Sequence, residues 1–238
     1  MPHPQDLLEN QLLAALNEAD CERLFPRLVR IDLELGDVLY ESGEELREVY
    51  FPIDSVVSLL YVMESGASAE ISIIGNDGMV GIGLFMGGNT MMGRAVVQAG
   101  GSAYRLNGEV LKDEFHRNGR MQDLLLNYTQ ALLTQMAQTA VCNRHHSIDQ
   151  QLCRWLLLTL DRLPSSKIEM THELISNMLG VRREGVTEAA HKLQSLGAIT
   201  YKRGHIDVLD RAKLEALSCE CYSVVRKETE RLKGLRNP

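Results

Sequence analysis

The sequence predicts an α+β protein with an N-terminal antiparallel β-roll, a long central helix and a C-terminal winged helix-turn-helix. Three observations support this prediction. Short aliphatic segments alternate with turn residues between residues 31 and 104, and residues 120–141 contain no Gly or Pro. Near the C-terminus, two amphipathic helices are separated by one glycine turn. With 238 residues, the chain is long enough for two domains.

The N-terminal half is predicted to be a roll because its strands are short and regularly interrupted. Turn residues occur at positions 41–44, 64–66 and 75–78, a spacing typical of an antiparallel roll or sandwich. Two short helices, residues 5–16 and 20–25, are expected before it. The predicted strands cover residues 38–40, 49–51, 56–62, 69–74 and 95–97.

The central helix carries two overlapping apolar stripes at helical spacing. The stripes are Leu126, Leu133, Met136 and Ala140, and Leu125, Leu132 and Met136. A face this broad must bury one side against its own roll and another against a partner, so we expect a homodimer. A helix packed only within the monomer is the alternative.

A capping box after the long helix predicts where it breaks. Ser147 can accept from the third amide of a new helix, and Gln150 can reach back to the cap. The hinge is therefore expected at residues 144–147, followed by a helix over residues 148–163. The predicted domains are residues 1–118, the β-roll; 119–146, the dimerisation helix and hinge; and 147–238, the winged helix-turn-helix.

The charge is distributed unevenly along the chain. The formal net charge is −7, but residues 1–143 contain 9 Lys and Arg against 20 Asp and Glu, which gives −11. Residues 144–238 contain 16 basic and 12 acidic residues, which gives +4. A phosphate-binding surface is therefore expected in the C-terminal domain.

Residues 171–196 have the pattern of a helix-turn-helix. A first helix is capped by Thr171 and ended by Gly180, and a second follows at once. In the second helix, inward positions are apolar and the outward stripe is polar, the arrangement that enters the major groove. The inward residues are Val186, Ala189, Ala190 and Leu193.

The outward stripe has the chemistry to read base pairs. Arg183 can donate two hydrogen bonds to guanine, and Glu184 can accept from cytosine. The predicted base-reading residues are Arg183, Glu184, Thr187 and Glu188. A hairpin over residues 198–209 forms a basic wing. The predicted phosphate contacts are Thr171, Arg182, Lys192, Lys202 and Arg203. The alternative for Arg183 and Glu184 is an ordinary solvated charge pair.

These motifs, together with the turn at residues 40–44 and the glycine-punctuated residues 75–85, resemble the Crp/Fnr family over nearly the whole chain. The resemblance implies a cyclic-nucleotide-binding type of roll and a dimer that binds a near-palindromic operator. It places Arg183 and Glu184 at the family's base-reading positions and Thr171 at a phosphate contact. Glu188 stands where cyclic-AMP-responsive relatives have a second arginine, and Gly185 replaces a threonine.

The sensor half departs from relatives that bind cyclic nucleotides. Those relatives hold the ribose with a glutamate, but residues 78–108 contain no Asp or Glu. Arg94 lies one residue out of register with the family's phosphate arginine. We therefore expect no control by cyclic AMP. The candidate pocket for another effector comprises Met79, Gly81, Met86 and Arg94, although methionines such as Met79, Met91 and Met92 more often fill a core.

No metal or cofactor is assigned from the sequence. Cys219 and Cys221 could bind a metal, but no second ligand pair lies nearby in the chain, and free thiols are the expected state. Iron–sulfur relatives cluster cysteines near the N-terminus, where this chain has only Cys21. The histidines considered as haem ligands, His116, His145 and His146, have no support beyond residue type.

The predicted function is a cytoplasmic, homodimeric regulator that binds double-stranded DNA, with RNA polymerase and a small-molecule effector as further candidate partners. No signal sequence or membrane span is recognised, and no catalytic array predicts an enzyme. The competing hypothesis is a ligand-binding or protein-interaction module whose helix-turn-helix no longer meets DNA, since Glu184 and Glu188 repel phosphate.

Overall fold

The structure, a computed structural model, describes residues 9–234. Residues 5–8 of the first predicted helix, and the ends of the two predicted terminal domains, therefore lie outside the described residues. The described chain begins with two short helices, α1 (Gln11–Ala14) and α2 (Glu18–Leu24). They are separate because Asn10 caps the first and Asn17 caps the second, each with an extended backbone.

The predicted antiparallel roll is present, and in the described chain it has seven strands in two sheets, two more strands than the segments named from the sequence. The strands are β1 (Val29–Leu33), β2 (Val38–Tyr40), β3 (Glu48–Pro52), β4 (Val56–Val62), β5 (Ser68–Ile74), β6 (Arg94–Ala99) and β7 (Gly101–Asn107). One sheet has the order β1-β7-β3 and the other β2-β6-β4-β5. Short 3₁₀ turns lie at Phe25–Arg27 and Ile82–Leu84. Alternate strand residues such as Val49, Phe51 and Tyr104 are completely buried between the sheets.

After the roll, α3 (Gly108–His116) leads into the long helix α4 (Arg120–His145). The roll side of α4 buries Leu125 and Leu132. On another side, Gln130 donates to Glu228 of the C-terminal helix at 3.1 Å. Leu126 and Leu133 remain 52% and 56% exposed. The two apolar stripes therefore separate into one that packs within the chain and one that faces outward.

The predicted capping box is present at the start of the C-terminal elements, where Ser147 and Gln150 make the reciprocal hydrogen bonds. The capped helix ends at Leu160, three residues earlier than predicted. A third wing strand and two terminal helices were not predicted. The elements are α5 (Ile148–Leu160), β8 (Lys167–Glu169), α6 (His172–Leu179), α7 (Arg183–Ser195), β9 (Ile199–Lys202), β10 (His205–Val208), α8 (Arg211–Leu217) and α9 (Glu220–Gly234).

The two domains share a buried boundary, which we call the interdomain seam. Val56, Leu60 and Ile73 of the roll lie in one apolar core with Trp155 of α5. A chain of hydrogen-bonded polar side chains crosses the same boundary, and Arg162 pairs with Asp77 at 2.8 Å. The polar chain consists of Ser58, Glu70, Gln98 and Thr159.

Candidate nucleic-acid interface

The helix-turn-helix forms where the sequence predicts it. The Thr171 hydroxyl caps α6 by accepting from the Leu174 amide at 3.2 Å. Gly180 ends α6 with φ +66°, a conformation that glycine adopts without strain. Because the turn is so short, Ile175 and Val186 meet in one buried core. This packing fixes the outward face of α7.

The outward face of α7 is exposed and carries charges that are not neutralised within the chain. Arg183, Glu184 and Glu188 are all exposed. Among residues 9–234, none of these three side chains forms an ion pair. An unpaired guanidinium at the N-terminal end of an exposed helix is free to donate to a base edge. Glu184, in the first turn, also stabilises the positive end of the helix dipole.

Thr187 differs from its neighbours on this stripe because its hydroxyl is already hydrogen-bonded. It donates to the Arg183 carbonyl at 3.0 Å and lies 3.0 Å from Nδ1 of His172. The His172 ring stacks on Tyr201 of the wing, with ring centroids 4.1 Å apart. Thr187 therefore ties α7 to α6 and, through His172, to the wing.

His172 and Tyr201 were not among the residues predicted from the sequence. Burial, followed by the nearby charge of Arg183, lowers the pKa of His172 below its usual value. No sequence pattern signals the contact of His172 with Tyr201, because the two rings are far apart in the chain and meet only in the fold.

The four basic residues among the predicted phosphate contacts fall into two groups. Arg182, Lys202 and Arg203 are exposed, and none of the three is in an ion pair within the described part of the chain. Arg203 has φ +52° and Gly204 has φ +85°, so the wing turn is tight and projects its basic side chains. Lys192 differs because it pairs with Asp149 of α5, which raises its pKa.

Gly185 allows α7 to approach α5 closely. A Cβ at this position would lie 2.6 Å from Cδ1 of Ile148, the first residue after the hinge cap. The glycine therefore has a packing role on the inner side of the recognition helix. A larger residue here would require the Ile148 side chain to move.

The four candidate effector-pocket residues lie in different surroundings. Met79 is buried in the core, where its carbonyl accepts from the Tyr128 hydroxyl at 2.8 Å. Gly81 has φ +104° and faces Val49, whereas Met86 is 57% exposed. Arg94 pairs with Glu41 at 3.1 Å.

A cavity of about 530 Å³ opens elsewhere on the roll. Its lining includes Glu44, Glu45 and Glu48 with a single Arg47. Because carboxylates predominate, this cavity disfavours an anionic ligand such as a phosphate group. None of these lining residues was predicted from the sequence to belong to a pocket.

The fold and this surface define a class: a β-roll protein with a winged helix-turn-helix. The family model for the Crp-like helix-turn-helix domain matches residues 150–217. No curated protein matches the sequence significantly. Among the residues described, no helix combines the length and apolarity needed to cross a membrane.

Several solved structures are similar over most of the chain. A transcriptional regulator of the CRP family from Thermus thermophilus has a TM-score of 0.67 at 16% identity, covering 79% of this chain and 96% of that one. A transcriptional regulator of the CRP/FNR family from the same organism has a TM-score of 0.61 at 21% identity, covering 80% of this chain and 98% of that one. The c-di-GMP-responsive global regulator CLP from Xanthomonas campestris has 0.64 at 15%, covering 81% and 99%.

The resemblance to the Crp/Fnr family drawn from the sequence is confirmed. Residues 150–217 belong to the Crp-like helix-turn-helix domains, and the described chain has the fold of Crp/Fnr transcriptional regulators. The predicted fold class, a roll followed by a long helix and a winged helix-turn-helix, is also confirmed.

Proposed function

We propose that this chain is a cytoplasmic, sequence-specific transcription regulator that binds double-stranded DNA as a homodimer. The observation that carries the proposal is the exposed N-terminal half of α7, where Arg183 and Glu184 are unpaired beside the basic wing. The family match over residues 150–217 supports the same function. Arg183 and Glu184 read bases, and Arg182, Lys202 and Arg203 contact phosphates.

The exposed stripe of α4 supports dimerisation. Leu126 and Leu133 lie seven residues apart and are followed by Ala140 and Val141, all exposed in the single chain. Exposure of an apolar stripe of this length to water is unfavourable. A second copy of the chain, related by a two-fold axis, would bury the stripe. Two recognition helices would then enter successive major grooves about 34 Å apart on a near-palindromic site.

The sensor roll takes an effector other than cyclic AMP in this proposal. Residues 78–108 contain no carboxylate for a ribose hydroxyl, and the Arg94 guanidinium is already paired with Glu41. The Xanthomonas regulator, which has a similar fold, responds to c-di-GMP. This supports an effector other than cyclic AMP for the roll. RNA polymerase is the partner through which a bound dimer would change transcription.

The decisive experiment compares Arg183→Ala with the unmodified protein on operator and random duplexes. The operator is first selected from genomic fragments, and affinities are measured by fluorescence anisotropy at two salt concentrations. We expect Arg183→Ala to lose about 1–3 kcal/mol on the operator and to relax preference at one base pair. Lys227→Ala, which removes an exposed cation on α9, is the matched control and should change little.

Two results would count against the proposal. Equal losses on operator and random DNA would remove the base-reading role of Arg183. Failure of the unmodified protein to bind any duplex at low salt would favour the competing hypothesis of a module that does not bind DNA, because a true DNA binder shows steep salt dependence.

A further inference from the structure

Four potential metal ligands converge where the long helix ends. Cys142 lies in the last turn of α4, and His146 is the residue that caps it. Cys219 and Cys221 flank the start of α9. One ligand atom from each residue lies within 4.8 Å of the others. The Cys142 and Cys219 sulfurs are 3.5 Å apart, and the Cys221 sulfur is 3.6 Å from Nδ1 of His146.

These distances fit the edges of a tetrahedral metal site. Zinc bonds of about 2.3 Å to sulfur and about 2.0–2.1 Å to nitrogen give edges of about 3.8 Å between sulfurs and about 3.5 Å between sulfur and nitrogen. The Cys142–Cys219 and Cys221–His146 separations differ from these values by at most about 0.3 Å. The other ligand atoms lie within 4.8 Å of one another, so they must move closer together when an ion binds.

The cluster is enclosed and contains few other groups. Cys142, Cys219 and Cys221 are all buried and form a small group separate from the two large cores. All three are free thiols. Buried thiols normally pack singly among apolar side chains, as Cys153 does in the core around α5. Three thiols and an imidazole in mutual contact are better explained by a shared ion.

The environment also orients the imidazole. Nε2 of His146 lies 3.3 Å from the Glu220 carboxylate, which directs Nδ1 toward the thiols. A carboxylate on the second ring nitrogen is the usual partner of a metal-binding histidine.

We propose that Cys142, His146, Cys219 and Cys221 bind one Zn²⁺ ion in a closed tetrahedral site. Three thiolates and one imidazole suit zinc, and a full set of four protein ligands is typical of a structural ion. The ion links the end of the dimerisation helix to the start of the C-terminal helix. It thereby restrains the hinge at residues 144–147. The site itself does not depend on DNA binding.

The test uses the full-length protein, purified under reducing conditions and stripped of metal with a chelator. Zn²⁺ is titrated against a chromophoric competitor, and Co²⁺ is used as a spectroscopic probe. We expect one ion per chain and, with Co²⁺, the intense visible and thiolate charge-transfer bands of tetrahedral thiolate coordination. Cys142→Ser, Cys219→Ser and Cys221→Ser should each lose these bands, whereas Cys153→Ser, a buried thiol outside the cluster, should keep them.

Glu220→Gln provides a milder test of the same site. It leaves all four ligands in place but removes the carboxylate charge beside His146, so we expect Zn²⁺ to bind about 10-fold more weakly. Circular dichroism of each variant shows whether it has folded. If a cysteine variant unfolds, the deciding measurement is made on the unmodified protein. It asks whether bound Zn²⁺ protects the thiols from an alkylating reagent.

The proposal is overturned if the reduced protein binds no stoichiometric Zn²⁺, or if Zn²⁺ leaves the alkylation rates of the three thiols unchanged. A Cys142–Cys219 disulfide in protein purified without reductant, with no metal uptake after reduction, would likewise show that the cluster is a redox pair. Because these measurements need no duplex, failure here leaves the DNA-binding proposal intact, and the converse also holds.

Discussion

The outward face of α7 and the interdomain seam both contain many polar groups, but these groups differ in exposure and in whether they have partners within the chain. On α7, Arg183 and Glu184 are exposed and unpaired. In the seam, Ser58, Gln98 and Thr159 are buried. Ser58 is hydrogen-bonded to Gln98, and Gln98 to Thr159. A polar group left without an internal partner at the surface is available to bind, whereas one satisfied in the interior fixes the arrangement of domains. Substitutions should therefore alter binding in the first region and stability in the second.

The largest effect is expected at the exposed stripe of α4. Replacing Leu126 and Leu133 together by Asp places charges where a second copy is proposed to pack, and should yield a folded monomer. A monomer binds only one half-site, so the two half-site contacts are no longer linked. Affinity for the operator should therefore fall about 10²-fold or more. Light scattering measures the mass of the particle, and fluorescence anisotropy measures its affinity for the operator.

Leu35→Asp is the control for this change, since Leu35 is also half exposed but lies on the roll. An unchanged dimer in the double variant would contradict the assignment of this stripe to the interface.

Within the seam, Glu70 should make stability depend on pH. Burial raises its pKa from 4.5 to about 7, although Ser58 donates to the carboxylate. The folded state therefore holds a proton that the unfolded chain releases above about pH 4.5. Its stabilising contribution is complete below that pH and is lost as the pH rises through 7, with an upper limit of about 3 kcal/mol.

Urea unfolding of the unmodified protein and Glu70→Gln between pH 5 and 8 measures this contribution. The difference in unfolding free energy between the two proteins should change from pH 5 to about pH 7 and level off above that. A constant difference would mean that Glu70 ionises normally in the folded protein.

A smaller effect is expected at Gly185, which belongs to the inner side of the recognition helix. Thr at this position must displace Ile148, and we expect a loss of about 1–2 kcal/mol in unfolding free energy. Ala should be nearly neutral, because its better helix propensity, worth about 1 kcal/mol, offsets a shift of the flexible Ile148 side chain.

Thermal unfolding of both variants tests this, with His191→Thr as the control at an exposed position of the same helix. If Gly185→Thr were as stable as the control, α5 and α7 would not be in close contact.

The smallest effect is expected at the wing. Lys202→Ala should weaken binding to all duplexes alike and reduce the slope of log affinity against log salt by about 1. Lys192→Ala is the matched comparison, because Lys192 is paired with Asp149 and should contribute less to phosphate binding. A greater change in the salt slope for Lys192 than for Lys202 would reverse this assignment. The slopes come from anisotropy titrations at several salt concentrations.

Features encoded by neighbouring residues were predicted well from the sequence. The capping box at Ser147 and the glycine turn at Gly180 formed as expected, since both depend on hydrogen bonds and backbone angles within a few residues. Strands β4 and β5 were also placed closely. The three-residue strand β8 was not predicted, because it is recognisable only through its pairing with β10.

The sequence by itself determined the order of roll, long helix and winged domain, and the polar stripe of α7. Periodicity and turn chemistry act over a few residues, so they can be read along the chain. Only the tertiary structure decided which stripe of α4 is buried and that Glu70 lies in a seam. It also brought Cys142 and His146, one helical turn apart, to Cys219 and Cys221. These contacts join residues tens of positions apart, and they form only when packing has fixed the path of the backbone.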